Sequence, residues 1–82
     1  MQLIIYDKDK ARLSQCVEAV KIGARRFGVS PEVTPVDDPL EMARQGLNCM
    51  LPAIDLGGMI WSLNNGQAFT SDQIEDLLAR FI

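Results

Sequence analysis

The stretch LPAIDLGGMIWSL, residues 51–63, carries the strongest signal for the fold of this 82-residue chain. Two apolar runs, residues 53–56 and residues 59–63, flank Gly57 and Gly58. Paired glycines tolerate the positive φ angles that a two-residue hairpin turn requires. The spacing therefore predicts two antiparallel strands joined by that turn.

The residues before the hairpin predict a strand, a helix and a second strand. Residues 2–6 form a short apolar run, which is typical of a central strand covered on both faces. Apolar positions within residues 10–27 recur at the spacing of one helix face, and Gly28 ends that helix as a C′ glycine. Residues 32–36 predict the second strand, and Pro35 places it at a sheet edge because proline cannot donate to a strand ladder.

A short second helix is predicted from its start signals. Asp38 can cap the helix and Pro39 suits its first position. Glu41 completes a capping-box spacing, and Gly46 closes the helix.

A final helix follows the hairpin. Thr70 and Gln73 again have capping-box spacing. An apolar stripe of helical period comes next, at Ile74, Leu77, Leu78 and Phe81. The predicted order is β-α-β-α-β-β-α, an α/β fold in which helices flank a four-stranded mixed sheet. Residues 1–82 form a single domain, without a linker or repeat.

Composition excludes several classes of function. The net charge is −3 and basic residues form no long run, which disfavours a nucleic-acid partner. No apolar run has the roughly 20 residues of a membrane span. Strand-like residues begin directly after Met1, so we expect a cytoplasmic protein without a signal peptide. The chain has no histidine, which rules out Cys–His and Ser–His nucleophiles, and two cysteines are too few for a four-ligand zinc site.

At this length, the order of elements resembles the thioredoxin/glutaredoxin superfamily in its minimal form, in particular small thioredoxin-like proteins of the redox-active disulfide protein 2 type. The resemblance covers nearly the whole chain and is most specific in the second half. The residues that carry it are Gly46, Leu51-Pro52-Ala53, Gly57-Gly58, Gly66 and Thr70-Ser71. It implies a thioredoxin-like fold and a cis peptide bond between Leu51 and Pro52, facing the active-site turn.

The chain departs from the family at that turn. Alignment of the first helix places the Cys-x-x-Cys motif of the family on Lys10-Ala11-Arg12-Leu13, where neither cysteine is present. A dithiol mechanism at this position is chemically impossible, since both the attacking and the resolving thiolate are missing. We therefore expect a binding or regulatory module without catalytic activity and without a cofactor. The groove beside Pro52 would receive a protein or peptide, and its predicted residues are Tyr6, Asp7, Lys10, Leu51, Pro52 and Gly66.

Two alternatives rest on the cysteines. Cys49 lies three residues before Pro52 and can act as an atypical thiol–disulfide or monothiol site, alone or with Cys16. Cys16 lies on the apolar face of the first helix, where a buried and inert thiol is expected unless it bonds to Cys49. The second alternative is a soft-metal or metalloid carrier that binds through thiolate.

Three further interpretations remain open. Asp7 and Asp9 can cap the first helix, or act as a carboxylate pair that holds Mg²⁺. The loop around Gly66 matches the place where glutaredoxins bind the carboxylate of glutathione, so glutathione is a candidate ligand. The uncharged strand from Met59 to Leu63 would form a sheet edge, which raises the possibility of a homodimer.

Overall fold

Seven elements of secondary structure follow one another in the computed structural model, which describes residues 1–81. They are β1 (Gln2–Tyr6), α1 (Lys10–Phe27), β2 (Glu32–Val36), α2 (Pro39–Arg44), β3 (Ala53–Leu56), β4 (Met59–Ser62) and α3 (Ser71–Phe81). The protein is thus an α/β fold with three helices and one mixed open sheet.

The four strands lie in the order β2-β1-β3-β4. β1 pairs with β2 in parallel, while β1 with β3 and β3 with β4 are antiparallel. The strand that contains Pro35 is at an edge, as its sequence predicts. β4 forms the other edge and ends at Ser62 rather than at Leu63.

Apolar clusters lie on both faces of the sheet. Neighbouring residues of a strand contribute to different clusters, because their side chains point to opposite sides. Leu3 and Ile5 of β1 belong to the larger core, which lies under α1 and α3. Tyr6 belongs to a smaller cluster with Met42 of α2, on the opposite face. The larger core also contains most of the apolar positions of α1 and α3 that were predicted from their helical spacing: Leu13, Cys16, Val20, Ala24, Ile74, Leu77 and Leu78. Phe81, predicted in the same stripe, is 40% exposed instead. No helix that the structure describes is both long enough and apolar enough to cross a membrane.

The helix ends mostly follow their sequence signals, with one exception. Asp9 caps α1 and Asp38 caps α2 through their side chains. The capping box before α3 forms in both directions, since Gln73 N–H donates to the Thr70 hydroxyl and Thr70 N–H donates to the Gln73 side chain. The predicted box at Glu41 is wrong, because the Glu41 carboxylate accepts hydrogen bonds from side chains in the last turn of α2 instead.

Candidate functional site

The candidate site lies at the end of the sheet where β1 stops and β3 begins. Tyr6 pairs with Val36 on one side and with Ala53 on the other. Asp7, which follows Tyr6, and Pro52, which precedes Ala53, therefore lie at the same end of the sheet. The Leu51–Pro52 peptide bond at this end is cis.

Asp7 is fully buried and forms a two-pronged ion pair with Arg12 of α1. Arg12 Nε donates to Asp7 Oδ2 at 2.6 Å, and Arg12 Nη2 donates to Asp7 Oδ1 at 2.7 Å. Asp9 N–H adds a third donor to Asp7 Oδ1 at 3.1 Å. A buried carboxylate requires such partners, and a bidentate arginine is among the strongest available. Hydrogen bonding to Asp7 raises the pKa of the Arg12 guanidinium.

Arg12 also ties α1 to the loop before α3. Its Nη1 donates to the carbonyl oxygen of Gly66 at 2.6 Å. One guanidinium thus connects the end of β1, the first turn of α1 and a loop more than fifty residues away in the chain. The carbonyl of Gly66 is already engaged, and the turn at which the thioredoxin motif aligns is organised by an ion pair instead of thiols.

The other predicted residues of this region differ in exposure. Tyr6 is 3% exposed, and burial is the main reason that the pKa of its phenol is raised. Lys10 is exposed, with its amine 3.9 Å from Asp37. Asp7 and Pro52 are buried, whereas Leu51 is half-buried. Surface at this end of the sheet is therefore offered by Lys10, Leu51 and the Gly66 loop.

The loop between α2 and β3 presents Leu51 beside the ion pair. Leu47 anchors the loop in the smaller core cluster, and Ser62 Oγ fixes it by donating to the carbonyl of Met50 at 2.6 Å. Among residues 1–81, neither the N–H nor the C=O of Leu51 is hydrogen-bonded to another group of the chain. These two backbone groups are therefore free to bond to water or to another chain. Sequence reasoning had selected Leu51 only through its place before Pro52.

The structure separates the two cysteines. Cys16 is 0% exposed and lies in the core under α1 and α3, whereas Cys49 is exposed beside residues of the cluster on the opposite face. Both thiols are free, so the disulfide that was considered between them is not formed. Burial, the largest effect, raises the pKa of the Cys16 thiol, which disfavours its reactive thiolate form.

The carboxylates of Asp7 and Asp9 are both engaged at the start of α1. Asp7 is held by Arg12, and Asp9 accepts a hydrogen bond from Arg12 N–H as the cap of α1. In the part of the chain that the structure describes, no three acidic, cysteine or histidine residues are grouped closely enough to hold a metal ion. Arg12 itself was missed from the sequence, since its role depends on a buried acid five residues earlier and on the distant Gly66.

We expect the folded protein to expose one reactive thiol. Cys49 should react rapidly with a chromogenic disulfide reagent at neutral pH, and Cys16 at least about a hundredfold more slowly, because its modification requires local opening. The measurement is a stopped-flow thiol titration before and after denaturation. The Cys49→Ser variant should show no fast phase while native and one thiol when unfolded. A fast phase that persists in this variant would contradict the burial of Cys16.

Comparison of the chain with protein-family models and with curated proteins gives no match. The case for its function therefore rests on the geometry at this end of the sheet.

Proposed function

We propose that this protein is a thioredoxin-like binding module without enzymatic activity, and that it holds an extended segment of a partner protein beside Leu51 and Pro52. The proposal combines the resemblance of the chain to the thioredoxin/glutaredoxin superfamily with the absence of its dithiol. The α/β architecture with its mixed sheet is compatible with that family.

The observation that carries the proposal is the unpaired backbone of Leu51. Its N–H and C=O have no partner among the described residues, although the residue is half-buried. An extended peptide can satisfy both groups by pairing with them as a further short strand would. The Leu51 side chain packs against the cluster of Tyr6 and Met42, which fixes the loop before the peptide arrives.

The turn between β1 and α1 supplies no nucleophile. Asp7 and Arg12 occupy the turn where a thiolate would be needed, and they bond to each other at 2.6 Å. Cys16 is one helical turn beyond Arg12, but its thiol is buried and its pKa is raised by that burial. A bound chain would consequently be held and released unchanged.

The test removes the N–H donor of Leu51 by an ester substitution. An ester also makes the preceding Met50 carbonyl a weaker acceptor for Ser62 Oγ, so Ser62→Ala is measured beside it and should bind peptide like the unmodified protein. Cys49 allows the chain to be assembled from residues 1–48 and 49–82 by native chemical ligation, so Leu51 can be replaced by its α-hydroxy acid, which converts the N–H into an ester oxygen. A phage-displayed library of random linear peptides is panned on the unmodified protein, and the selected peptides are synthesised. We expect the ester to weaken their binding about 5- to 30-fold, since a lost hydrogen bond is worth about 1–2 kcal/mol.

A matched control carries the same ester at Ser30, which is exposed and lies between α1 and β2, at the opposite end of the sheet. This protein should bind the selected peptides with unchanged affinity. Amide NMR spectra of the unmodified protein should show the largest peptide-induced shifts from Met50 to Ala53. Equal affinity of the Leu51 ester and the unmodified protein, or shifts located elsewhere, would overturn the proposal.

A second candidate function is favoured by the exposure of Cys49, two residues before Leu51. The Cys49 thiolate could attack a disulfide of a bound partner, form a mixed disulfide and release the other sulfur as a thiolate. A second, external thiol such as dithiothreitol would then resolve the mixed disulfide, releasing Cys49 and the reduced substrate, so this interpretation requires the reduction of insulin by dithiothreitol to depend on Cys49. Activity that disappears in Cys49→Ser would establish it, and peptide binding without such activity would leave the binding module as the function.

A further inference from the structure

The two edges of the sheet differ in their protection against pairing with another strand. β2 contains Pro35 and Glu32, both of which hinder the addition of a strand. β4 has the sequence MIWS and contains neither a charged residue nor a proline. An uncharged edge is a ready template for a further strand.

The hairpin turn determines which backbone groups of β4 face outward. Gly57 has φ 62° and Gly58 has φ 85°, which indicates a turn with positive φ at both central positions. Such a turn joins Leu56 and Met59 as a hydrogen-bonded pair, and pairs alternate along an antiparallel ladder. The N–H and C=O of Ile60, one position further, therefore point away from β3 to the open edge.

Apolar side chains surround these free groups. Met59 is 56%, Ile60 37% and Leu63 42% exposed. On the face covered by α3, a cavity of about 150 Å³ opens beside Trp61 and Leu63, with Asp76 and Arg80 at its α3 side. The indole N–H of Trp61 is buried and has no partner among the described residues.

We propose that this edge binds a second copy of the chain, with the two β4 strands antiparallel about a twofold axis at Ile60. A twofold axis perpendicular to the sheet does not exchange the two faces of the sheet, so the α3 faces of both copies lie on the same side. Residues that lie opposite each other across the axis must therefore point to the same face. Ile60 then pairs with its own counterpart through the outward backbone groups. Met59 lies opposite the partner's Trp61, where it covers the cavity that each copy leaves open. This proposal is independent of the peptide site at Leu51.

Sedimentation equilibrium over a range of concentrations tests the dimer. The interface is small, so we expect a weak dimer with a Kd on the order of micromolar. Ile60→Lys places two like charges opposite each other at the axis and should raise the Kd at least about tenfold. The matched control is Thr34→Lys, since Thr34 lies in the same cross-sheet row on the same face but on β2. It should leave the Kd unchanged.

Trp61 provides a second readout, because it is the single tryptophan of the chain. Its emission should shift over the same concentrations in the natural protein and in Thr34→Lys, and only at concentrations at least about tenfold higher in Ile60→Lys. A protein that sediments as a monomer at all concentrations up to the millimolar range would overturn the proposal, as would equal effects of the two lysine substitutions.

Disulfide trapping gives a further check on the paired strands. In a Cys49→Ser background, Ile60→Cys should form a covalent dimer with copper–phenanthroline as oxidant, because residues opposite each other in a ladder are about 5.5 Å apart. Thr34→Cys should not form one. Trapping at position 34 instead of position 60 would mean that copies associate through β2 and would overturn the proposal.

Discussion

Replacement of Arg12 with leucine is expected to lower the free energy of unfolding by about 3–5 kcal/mol. The change leaves the Asp7 carboxylate, which is 0% exposed, without either arm of the guanidinium. Asp9 N–H would remain as its only donor among the residues described. Domains of this size have a total stability of about 5–15 kcal/mol, so the variant should unfold at a much lower urea concentration.

The double variant Asp7→Asn/Arg12→Leu shows how much of the lost stability comes from the missing contact and how much from the buried charge. It removes the carboxylate that Arg12→Leu leaves unpaired, so it should be more stable than Arg12→Leu alone. Arg12→Lys should fall between the natural protein and Arg12→Leu, because an ammonium keeps the charge but cannot make the bidentate contact. The free energy of unfolding of each variant is measured by urea denaturation followed by circular dichroism.

The matched control is Arg26→Leu. Arg26 also pairs with an aspartate, Asp72, at 3.2 Å, but both side chains are more than half exposed. Exposed pairs contribute about 0–1 kcal/mol. If Arg12→Leu and Arg26→Leu lower the free energy of unfolding equally, the Asp7–Arg12 pair does not have the role of a buried ion pair in the folded protein.

Local sequence signals were sufficient to predict most of the secondary structure. Gly57 and Gly58 marked the hairpin because the favoured two-residue turns need positive φ at one or both central positions, and here both are positive. Gly28 marked the end of α1 for a similar reason, with φ 87°. Pro35 marked an edge strand, since it lacks a backbone donor. Each of these features depends on residues that are adjacent in the chain.

The candidate site was less predictable because its contacts join distant residues. Nothing near Arg12 indicates that it bonds to Gly66, 54 positions away, or that Asp7 is buried. At Glu41 the local spacing fits a capping box, but the box does not form because the Glu41 carboxylate accepts a hydrogen bond from Arg44. The unpaired backbone of Leu51 follows from the path of a loop, which side-chain patterns do not encode.

Gly23 is a further position at which tertiary contact should override local preference. Gly23→Ala is expected to lower the free energy of unfolding by about 1–3 kcal/mol, as overpacking of a core does. A Cβ atom at this position would lie 2.8 Å from Cβ and Cγ2 of Ile74 and 2.8 Å from the carbonyl oxygen of Ser71. The obstacle includes backbone, so α1 and α3 would have to move apart.

The sign of the change in the free energy of unfolding of Gly23→Ala distinguishes helix propensity from the clash with α3. Helix propensity alone favours alanine over glycine by about 1 kcal/mol inside a helix, so a destabilised variant requires the clash with α3. Ser14→Ala, at an exposed position of the same helix, is the control and should be stabilising by a few tenths of a kcal/mol. In an Ile74→Ala background the cost of Gly23→Ala should become smaller but not vanish, because the Cβ atom at position 74 and the Ser71 carbonyl both remain. A Gly23→Ala variant more stable than the natural protein would show that the two helices are further apart than the structure has them.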